Sequence, residues 1–150
     1  MDNKILLING PNLNMLGTRE PDKYGHLTLN EIVENLKRIA KEQGFILKDF
    51  QSNHEGEIID FIHKEGLSAK GLIINAGAYT HTSIAIRDSI LSVSIPFVEV
   101  HLSNVYKRED FRKKSYLSDI AIGVISGFGH YVYELGLLAL IKYIENNWLF

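Results

Sequence analysis

The chain has 150 residues, 45% of them hydrophobic, and its 16 basic and 18 acidic side chains leave a formal net charge of −2 at pH 7. It contains no cysteine, which excludes disulfides, thiolate metal sites and a cysteine nucleophile and favours a reducing compartment. The small net charge gives no electrostatic basis for binding nucleic acid or anionic lipid.

A single domain is the simplest expectation for residues 1–150, because no linker, repeat or low-complexity tract interrupts the sequence. The longest apolar stretch, residues 135–141, is much shorter than a membrane span. The N-terminus also lacks the basic and apolar segments of a secretory signal. We therefore expect a cytoplasmic protein that has neither a membrane nor a nucleic acid as partner.

Five short apolar runs rich in β-branched residues predict five strands, and the segments between them have helical periodicity. Strands that alternate with helices predict an α/β fold with a parallel sheet covered on both faces, because parallel neighbours need crossover connections. In chain order the predicted elements are the strand Ile5–Ile8, a helix from the capping box of Thr28 and Glu31 to Gly44, the strand Phe45–Phe50, the helix Glu55–Glu65, the strand Gly71–Ile74, the helix Ser83–Ser92, the strands Phe97–Val100 and Ile120–Ile125, and the helix His130–Glu145.

Polar residues follow four of the predicted strands. In a parallel sheet, ligands bind beyond the carboxyl ends of the strands, at the point where the strand order reverses. For five strands in the flavodoxin-like order this crevice lies between the first and third strands. The polar strand ends are residues 9–12, 75–81, 99–104 and 126–129. We therefore expect the functional site on this rim.

Several familiar sites are missing from the rim. No G-x-G-x-x-G follows the first strand and no G-x-x-x-x-G-K-[ST] occurs, so dinucleotides and nucleoside triphosphates have no usual signature here. Ser126 lacks the preceding glycine of a G-x-S-x-G elbow. The six histidines show neither H-x-x-x-H nor H-E-x-x-H, and hard-metal carboxylate clusters are absent, so we predict no metal. The remaining reagents are amides, Arg19, Arg108, Arg112, Tyr24, His81, His101 and Glu99.

The segment after the first strand, residues 9–25, is long for a loop, and such loops tend to be functional or disordered. Tyr24 in this segment can act as a general base only when it is ionised. Moving a tyrosine pKa from about 10 to neutrality takes about 4 kcal/mol at 1.36 kcal/mol per unit. One guanidinium about 4 Å away supplies about 4 kcal/mol at an effective dielectric of 20. Either Arg19 or Arg108 can therefore hold the phenolate.

The fourth strand carries a second candidate pair. Glu99 and His101 point to the same side of the sheet, because strand side chains repeat every two positions. A carboxylate beside an imidazole fixes its tautomer, which suits a general acid. Asn12 and Asn75 are neutral donors that can orient a substrate carbonyl or a water. The backbone amides near Leu102 and Ser103 can receive a carboxylate, with Arg112 adding charge.

Several long motifs, in order along almost the whole chain, resemble those of the type II 3-dehydroquinate dehydratases. They are I-N-G-P-N-L-N with G-T-R-E-P and Y-G in residues 8–25, N-A-G-A-Y-T-H-T-S in residues 75–83, E-V-H-L-S-N in residues 99–104 and R-E-D-F-R in residues 108–112. The resemblance implies a flavodoxin-like domain that assembles as a dodecamer of four trimers. It implies dehydration of 3-dehydroquinate to 3-dehydroshikimate through an enolate, without metal or organic cofactor, in the shikimate pathway or in quinate catabolism.

The resemblance also assigns a role to each matching position. It implies that residues 19–26 form a mobile lid and that Asp88 reaches into the site of a neighbouring subunit. By the same resemblance Tyr24 takes the C2 proton, and Arg19 and Arg108 lower the pKa of Tyr24. Asn12 holds a water on the enolate, and His101, supported by Glu99, protonates the leaving hydroxyl. The substrate is bound through its ring hydroxyls by Asn75, His81 and Arg112, and through its carboxylate by the amides near Leu102 and Ser103.

Each of these residues also has an ordinary structural interpretation. Asn12 can serve the Gly-Pro turn, Tyr24 can be a packed aromatic and Asp88 can form a surface pair with Arg87. Two other functions are therefore weighed. One is a dehydratase that forms a lysine imine, although no lysine ends a strand in an apolar setting. The other is a non-catalytic, flavodoxin-like binding module whose loop residues are replaceable.

Overall fold

The computed structural model describes residues 3–18 and 26–146. Within them, five parallel strands form one sheet in the order β2-β1-β3-β4-β5. This confirms the predicted α/β, flavodoxin-like sheet. The strands are β1 (Lys4–Asn9), β2 (Ile46–Gln51), β3 (Gly71–Asn75), β4 (Phe97–His101) and β5 (Gly123–Ser126), and the α-helices are α1 (Leu29–Glu42), α2 (Glu55–Gly66), α3 (Ile84–Val93) and α4 (Tyr131–Asn146).

The fifth strand begins later than its sequence pattern predicts. Ile120 lies in a turn, where its backbone N–H donates to the carbonyl of Leu117 at 3.1 Å, and the ladder with β4 begins only at Gly123, opposite Val98. The side chain of Ile120 packs against an apolar cluster of the core. An apolar turn residue that packs against the core looks, in the sequence, like a strand residue. The predicted strand was therefore three residues too long at its start.

The sheet separates two apolar clusters, and strand alternation divides the residues between them. Ile5 and Leu7 of β1 face the layer of α1 and α4, whereas Leu6 and Ile8 face the layer of α2 and α3. All four are 0–1% exposed, as expected for a central parallel strand. Both faces of β1 are thus covered, and only the strand ends are left for a binding site.

The crevice at the carboxyl ends of β1 and β3 depends on a glycine, and the following helix on its cap. The Cβ of any other residue at position 10 would stand 2.2 Å from the carbonyl oxygen of Ala76, so only Gly10 lets the two strand ends approach this closely. Helix α1 starts with a capping box. Thr28 Oγ1 accepts from the Glu31 N–H at 3.2 Å, and the Glu31 carboxylate accepts from the Thr28 N–H at 3.3 Å.

Among the helices of residues 3–18 and 26–146, none has both the length and the apolar character needed to cross a membrane.

Candidate active site

A cavity of about 440 Å³ opens at the carboxyl ends of β1, β3 and β4. It lies at the reversal of strand order, between β1 and β3, where the sequence predicts a crevice. The segments that follow these three strands form its walls. Eight of the predicted site residues line it, namely Asn12, Asn75, His81, His101, Leu102, Ser103, Arg108 and Arg112.

The remaining four predicted residues stand apart from this wall. Glu99 lies behind His101 in β4 and does not itself line the cavity. Asp88 is exposed on α3, away from the cavity of its own chain. Arg19 and Tyr24 lie outside the described residues, so their roles stay predictions.

Glu99 and His101 form a buried pair, 1% and 3% exposed. The Glu99 carboxylate lies 2.5 Å from Nε2 of His101. Burial by itself raises the pKa of Glu99, but the hydrogen bond and charge of His101, with the two serine hydroxyls described below, outweigh it and hold the pKa below its usual range. Glu99 is therefore an anion at neutral pH. Because it occupies Nε2, Nδ1 is the ring nitrogen that remains for a bound molecule.

Two serines in the segment between β4 and β5 complete the shell of Glu99. Ser118 Oγ donates to one carboxylate oxygen at 2.6 Å and Ser115 Oγ to the other at 2.9 Å. Ser115 Oγ in turn accepts from the backbone N–H groups of Leu117 and Ser118. Neither serine was predicted as a site residue. The only signal was the S-x-x-S spacing, which is common in turns that have no function.

His81 closes the cavity from the turn after β3. Its Nδ1 donates to the backbone carbonyl of Lys114 at 2.7 Å, which places the proton on Nδ1 and leaves Nε2 as an acceptor. Burial lowers the pKa of His81, and the nearby positive charges of Arg108 and Arg112 lower it further, against the opposing effect of the Lys114 carbonyl. The ring is therefore neutral at pH 7 and suited to accept a hydrogen bond from a hydroxyl.

Asn75 ends β3 and its amide is held on both sides. Its Oδ1 accepts from the Gly77 N–H at 3.2 Å, and its Nδ2 donates to the hydroxyl of Tyr133 at 3.0 Å. Tyr133 Oη donates onward to Asn9 Oδ1 at 2.5 Å. Neither Asn9 nor Tyr133 was predicted as a site residue: Asn9 stands in the motif I-N-G-P-N but was given no role there, and Tyr133 lies in a helix whose pattern indicates packing.

Asn12 follows β1 with a φ of 69°, in the left-handed region that asparagine tolerates better than most residues. Its backbone N–H donates to Asn53 Oδ1 at 3.0 Å. Gln51, at the end of β2, donates to the carbonyl of Gly10 at 3.1 Å and to the same Asn53 oxygen at 3.2 Å. These contacts fix the backbone of the loop and leave the Asn12 side chain exposed at the cavity.

The segment after β4 supplies donors and positive charge. Arg108 donates to the Ser103 hydroxyl from Nε at 2.9 Å and from Nη2 at 2.6 Å. Arg112 donates to the Glu109 carboxylate at 3.3 Å. Within residues 3–18 and 26–146, no hydrogen bond uses the backbone N–H of Leu102 or Ser103. These two amides and the guanidinium groups together suit an anionic group such as a carboxylate.

No group of three or more His, Asp or Glu side chains that could hold a metal ion occurs in the part of the chain that the structure describes. The metal-free chemistry stays a prediction.

Sequence comparison finds a matching family and similar proteins. The profile of the family "Dehydroquinase class II" matches residues 3–141. A 3-dehydroquinate dehydratase of Prochlorococcus marinus subsp. pastoris is 57% identical over 143 residues, which cover 95% of this chain and 98% of that protein. The 3-dehydroquinate dehydratase of Francisella tularensis subsp. novicida is 56% identical over 141 residues, which cover 94% of this chain and 96% of that protein.

Solved structures agree. A type II dehydroquinase from Butyrivibrio crossotus superposes with a TM-score of 0.88 at 44% identity, over 93% of this chain and 97% of that chain. A type II dehydroquinase from Propionibacterium acnes gives a TM-score of 0.87 at 36% identity, over 95% of this chain and 98% of that chain. The resemblance noted in the sequence is thereby confirmed.

Proposed function

Since the chain belongs to the dehydroquinase class II family, we propose that its cavity removes water from 3-dehydroquinate through an enolate, with a tyrosinate as general base and a histidine as general acid. The activity itself follows from the family: the protein is an enzyme, a hydro-lyase of the type II 3-dehydroquinate dehydratases, which serve the shikimate pathway. The observation that carries the mechanistic proposal is the buried pair of Glu99 and His101 in the cavity wall.

The proposed reaction has two proton transfers. The base takes a proton from C2, and the C2–H electron pair moves toward the C3 carbonyl to give an enolate. The enolate then reforms the carbonyl, its electrons form the C1–C2 double bond, and the C1 hydroxyl leaves with a proton from the acid. The products are 3-dehydroshikimate and water, so no oxidant, metal or organic cofactor is needed to balance the atoms or electrons.

His101 suits the role of acid. As an imidazolium it donates from Nε2 to Glu99 and keeps a second N–H, on Nδ1, for a molecule in the cavity that the residue lines. The anionic Glu99 accepts from the ring and orients it. A positioned acid of this kind typically contributes a factor of about 10² to 10⁴ in rate.

Tyr24 is the proposed base, with Arg19 and Arg108 as the cations that favour its phenolate. Tyr24 and Arg19 lie outside the described residues, so this step is supported by the family resemblance and by the magnitudes alone: one guanidinium at about 4 Å supplies roughly the stabilisation that a phenolate needs at neutral pH. Arg108 adds positive charge at the cavity wall, where it is held by the Ser103 hydroxyl.

The substrate groups match the donors and acceptors of the wall. We propose that the substrate carboxylate binds the backbone amides of Leu102 and Ser103, and that a water held by Asn12 stabilises the enolate oxygen. Asn75, His81 and Arg112 bind the ring hydroxyls. His81 would accept through Nε2, the nitrogen that its bond to Lys114 leaves free of a proton.

Asp88 belongs to a proposal about assembly. It lies on the same face of α3 as Ile84 and Leu91, which are 54% and 50% exposed. An exposed carboxylate flanked by exposed apolar side chains suits an interface between copies of the chain. We propose that Asp88 reaches the site of a neighbouring subunit within a dodecamer of four trimers, and that the enzyme acts in the cytoplasm.

Addition of 3-dehydroquinate to the purified protein tests the proposed reaction. The conjugated enone of 3-dehydroshikimate should appear as an ultraviolet band. Among the described residues of the cavity wall there is no lysine, so borohydride added during turnover should leave the mass of the protein unchanged. A covalent adduct after reduction would favour an imine mechanism instead, and the absence of the ultraviolet band would reject the dehydration.

A further inference from the structure

The hydroxyl of Tyr133 lies between two asparagines at the ends of neighbouring strands. It is 2.5 Å from Asn9 Oδ1 in β1 and 3.0 Å from Asn75 Nδ2 in β3. Tyr133 is 0% exposed, Asn9 1% and Asn75 4%. Water is therefore not available to replace either bond, and each polar group depends on the others.

Which group donates and which accepts in these two bonds follows from the single proton of the Tyr133 hydroxyl. A phenol has one proton, and Tyr133 gives it to Asn9 Oδ1, so toward Asn75 the phenol oxygen can only accept. Asn75 must then turn Nδ2 to Tyr133, and its Oδ1 accepts from the Gly77 N–H. The side-chain amide cannot rotate by 180° without losing both bonds. Its second N–H is the donor that remains for a molecule in the cavity.

We propose that Tyr133 is a positioning residue for substrate binding: through its hydroxyl it fixes the Asn75 amide so that the remaining N–H meets a hydroxyl of the substrate. This deepens the proposed function and rests on it, because Asn75 is there a substrate-binding residue. The effect passes through Asn75, since Tyr133 itself does not line the cavity.

Two further observations support this role. The other buried side chains of α4 are apolar, among them Val132, Leu137 and Leu140, so packing alone would be satisfied by phenylalanine at position 133. Burial raises the pKa of Tyr133, so the hydroxyl keeps its proton and the direction of the bonds persists across the working pH range. For the same reason Tyr133 does not compete with Tyr24 as the base.

Tyr133→Phe tests the proposal with little change in volume. Without the acceptor, the Asn75 amide can populate the rotated state, and KM for 3-dehydroquinate should rise about 3- to 10-fold, the size expected for one hydrogen bond. The turnover number should change less, because the acid and base are untouched. Tyr143→Phe is the matched control, the same chemical change about 15 Å further along the same helix, and it should leave KM unchanged.

A double-mutant cycle separates positioning from a general effect on the fold. If Tyr133 acts through Asn75, Tyr133→Phe should raise KM in the wild-type background and have no further effect in the Asn75→Ala background. An equal effect in both backgrounds, or an unchanged KM in the single variant, would overturn the proposal. If Tyr133→Phe does not fold, Asn9→Leu is the second variant. It removes the oxygen that accepts the Tyr133 proton and should raise KM with the same dependence on Asn75.

A neutron crystal structure of Tyr133→Phe, in which the amide N and O are told apart, supplies a readout that does not depend on the substrate. The Asn75 amide should be rotated or present in two orientations, and an amide unchanged from the wild type would contradict the inference. If the wild-type protein fails to convert 3-dehydroquinate, the proposed function is rejected on that ground, whereas the crystal structure still decides whether Tyr133 orients Asn75.

Discussion

Glu99 is a buried carboxylate in β4, and its surroundings explain how it is tolerated. A buried charge is costly unless it is paired and hydrogen-bonded. Here His101, Ser115 and Ser118 supply three hydrogen bonds to the two carboxylate oxygens. Loss of any one partner would leave part of a buried anion unsatisfied, so these residues act as a unit.

This environment predicts an acid-sensitive contribution to stability. The pKa of Glu99 lies below its ordinary value of 4.5 in the folded protein, so the unfolded chain takes up the proton first as the pH falls. The contribution is fully present above about pH 4.5 and is lost as the pH falls through the folded pKa. Below pH 4.5, the urea midpoint of Glu99→Gln should therefore decrease less steeply with falling pH than the midpoint of the wild type.

The exposed Glu34→Gln is the control for that series. Glu34 is 62% exposed, so its substitution should keep the wild-type slope. A Glu99→Gln variant whose midpoint falls with pH as steeply as the wild type would show that Glu99 is not the group responsible.

Tyr24→Phe tests the base at the same scale. The variant lacks the phenol oxygen that accepts the C2 proton, so its turnover number should fall by a factor of about 10² to 10⁴. Its circular dichroism and thermal melting should stay those of the wild type. Tyr106→Phe, at an exposed position outside the cavity wall, should retain full activity. Wild-type turnover by the Tyr24 variant would remove the tyrosinate from the mechanism.

Arg19→Ala tests the cation proposed to stabilise the phenolate. Loss of this charge should raise the pKa of Tyr24, so the rising limb of the pH–rate profile should move to higher pH and the rate at pH 7 should fall about tenfold for each unit of displacement. Arg19→Lys keeps the charge and should move the limb less. Superimposable profiles for the wild type and the alanine variant would assign the phenolate to another cation, with Arg108 the next to test.

Most of the cavity wall could be predicted because it follows strand ends, which a parallel sheet brings together. The partners that hold the wall could not. Ser115 and Ser118 lie in an irregular segment, and Tyr133 lies within an apolar helix face, so their contacts are set by the packed structure rather than by a local pattern. Arg19 and Tyr24 were proposed from chemistry and resemblance, and their placement lies outside the described residues.

At the scale of elements, the start of α1 is fixed by side chains rather than by packing alone. Thr28→Ala removes the bond that the Glu31 N–H donates to Thr28 Oγ1 and should lower the free energy of unfolding by about 1 kcal/mol. His54→Ala is the matched control at the start of α2, because His54 makes no side-chain cap bond there. Equal losses in urea denaturation would show that the capping bond contributes nothing specific.

The elements themselves were predictable to the extent that their periodicity was regular. The capping box and the apolar face of Ile32, Val33 and Leu36 mark α1 directly in the sequence, and Leu72-Ile73-Ile74 is an unambiguous buried strand. The prediction that Ile120 starts the fifth strand was wrong, because an apolar residue is favoured equally at a buried turn position and at a buried strand position. Only the ladder, which begins at Gly123, distinguishes them.

At the scale of the whole molecule, the proposed assembly makes a complementation experiment possible. Asp88→Ala and His101→Ala should each be poorly active alone. When the two variants are refolded together in equal amounts, about a quarter of the sites should combine an intact His101 with an intact Asp88 from the neighbour. Recovered activity in the mixture, together with a mass of twelve chains by light scattering, would support both parts of the proposal.

The control for that mixture is Asp60→Ala, an exposed aspartate on α2, which should be active alone. A mixture that remains as inactive as its components, in an oligomer that exchanges subunits, would place Asp88 outside the neighbouring site.

The position of β1 as an interior strand of the sheet has a consequence for synthesis. It pairs with β2 on one side and with β3 on the other, and β3 is completed only at Asn75. At ribosomal rates of about 5 to 20 residues per second, the apolar segment Ile5–Ile8 waits roughly 3 to 13 s before its second neighbour has been translated. During that interval Ile5–Ile8 lacks its β3 neighbour, and an uncovered apolar strand of this kind is prone to aggregate until β3 has been translated.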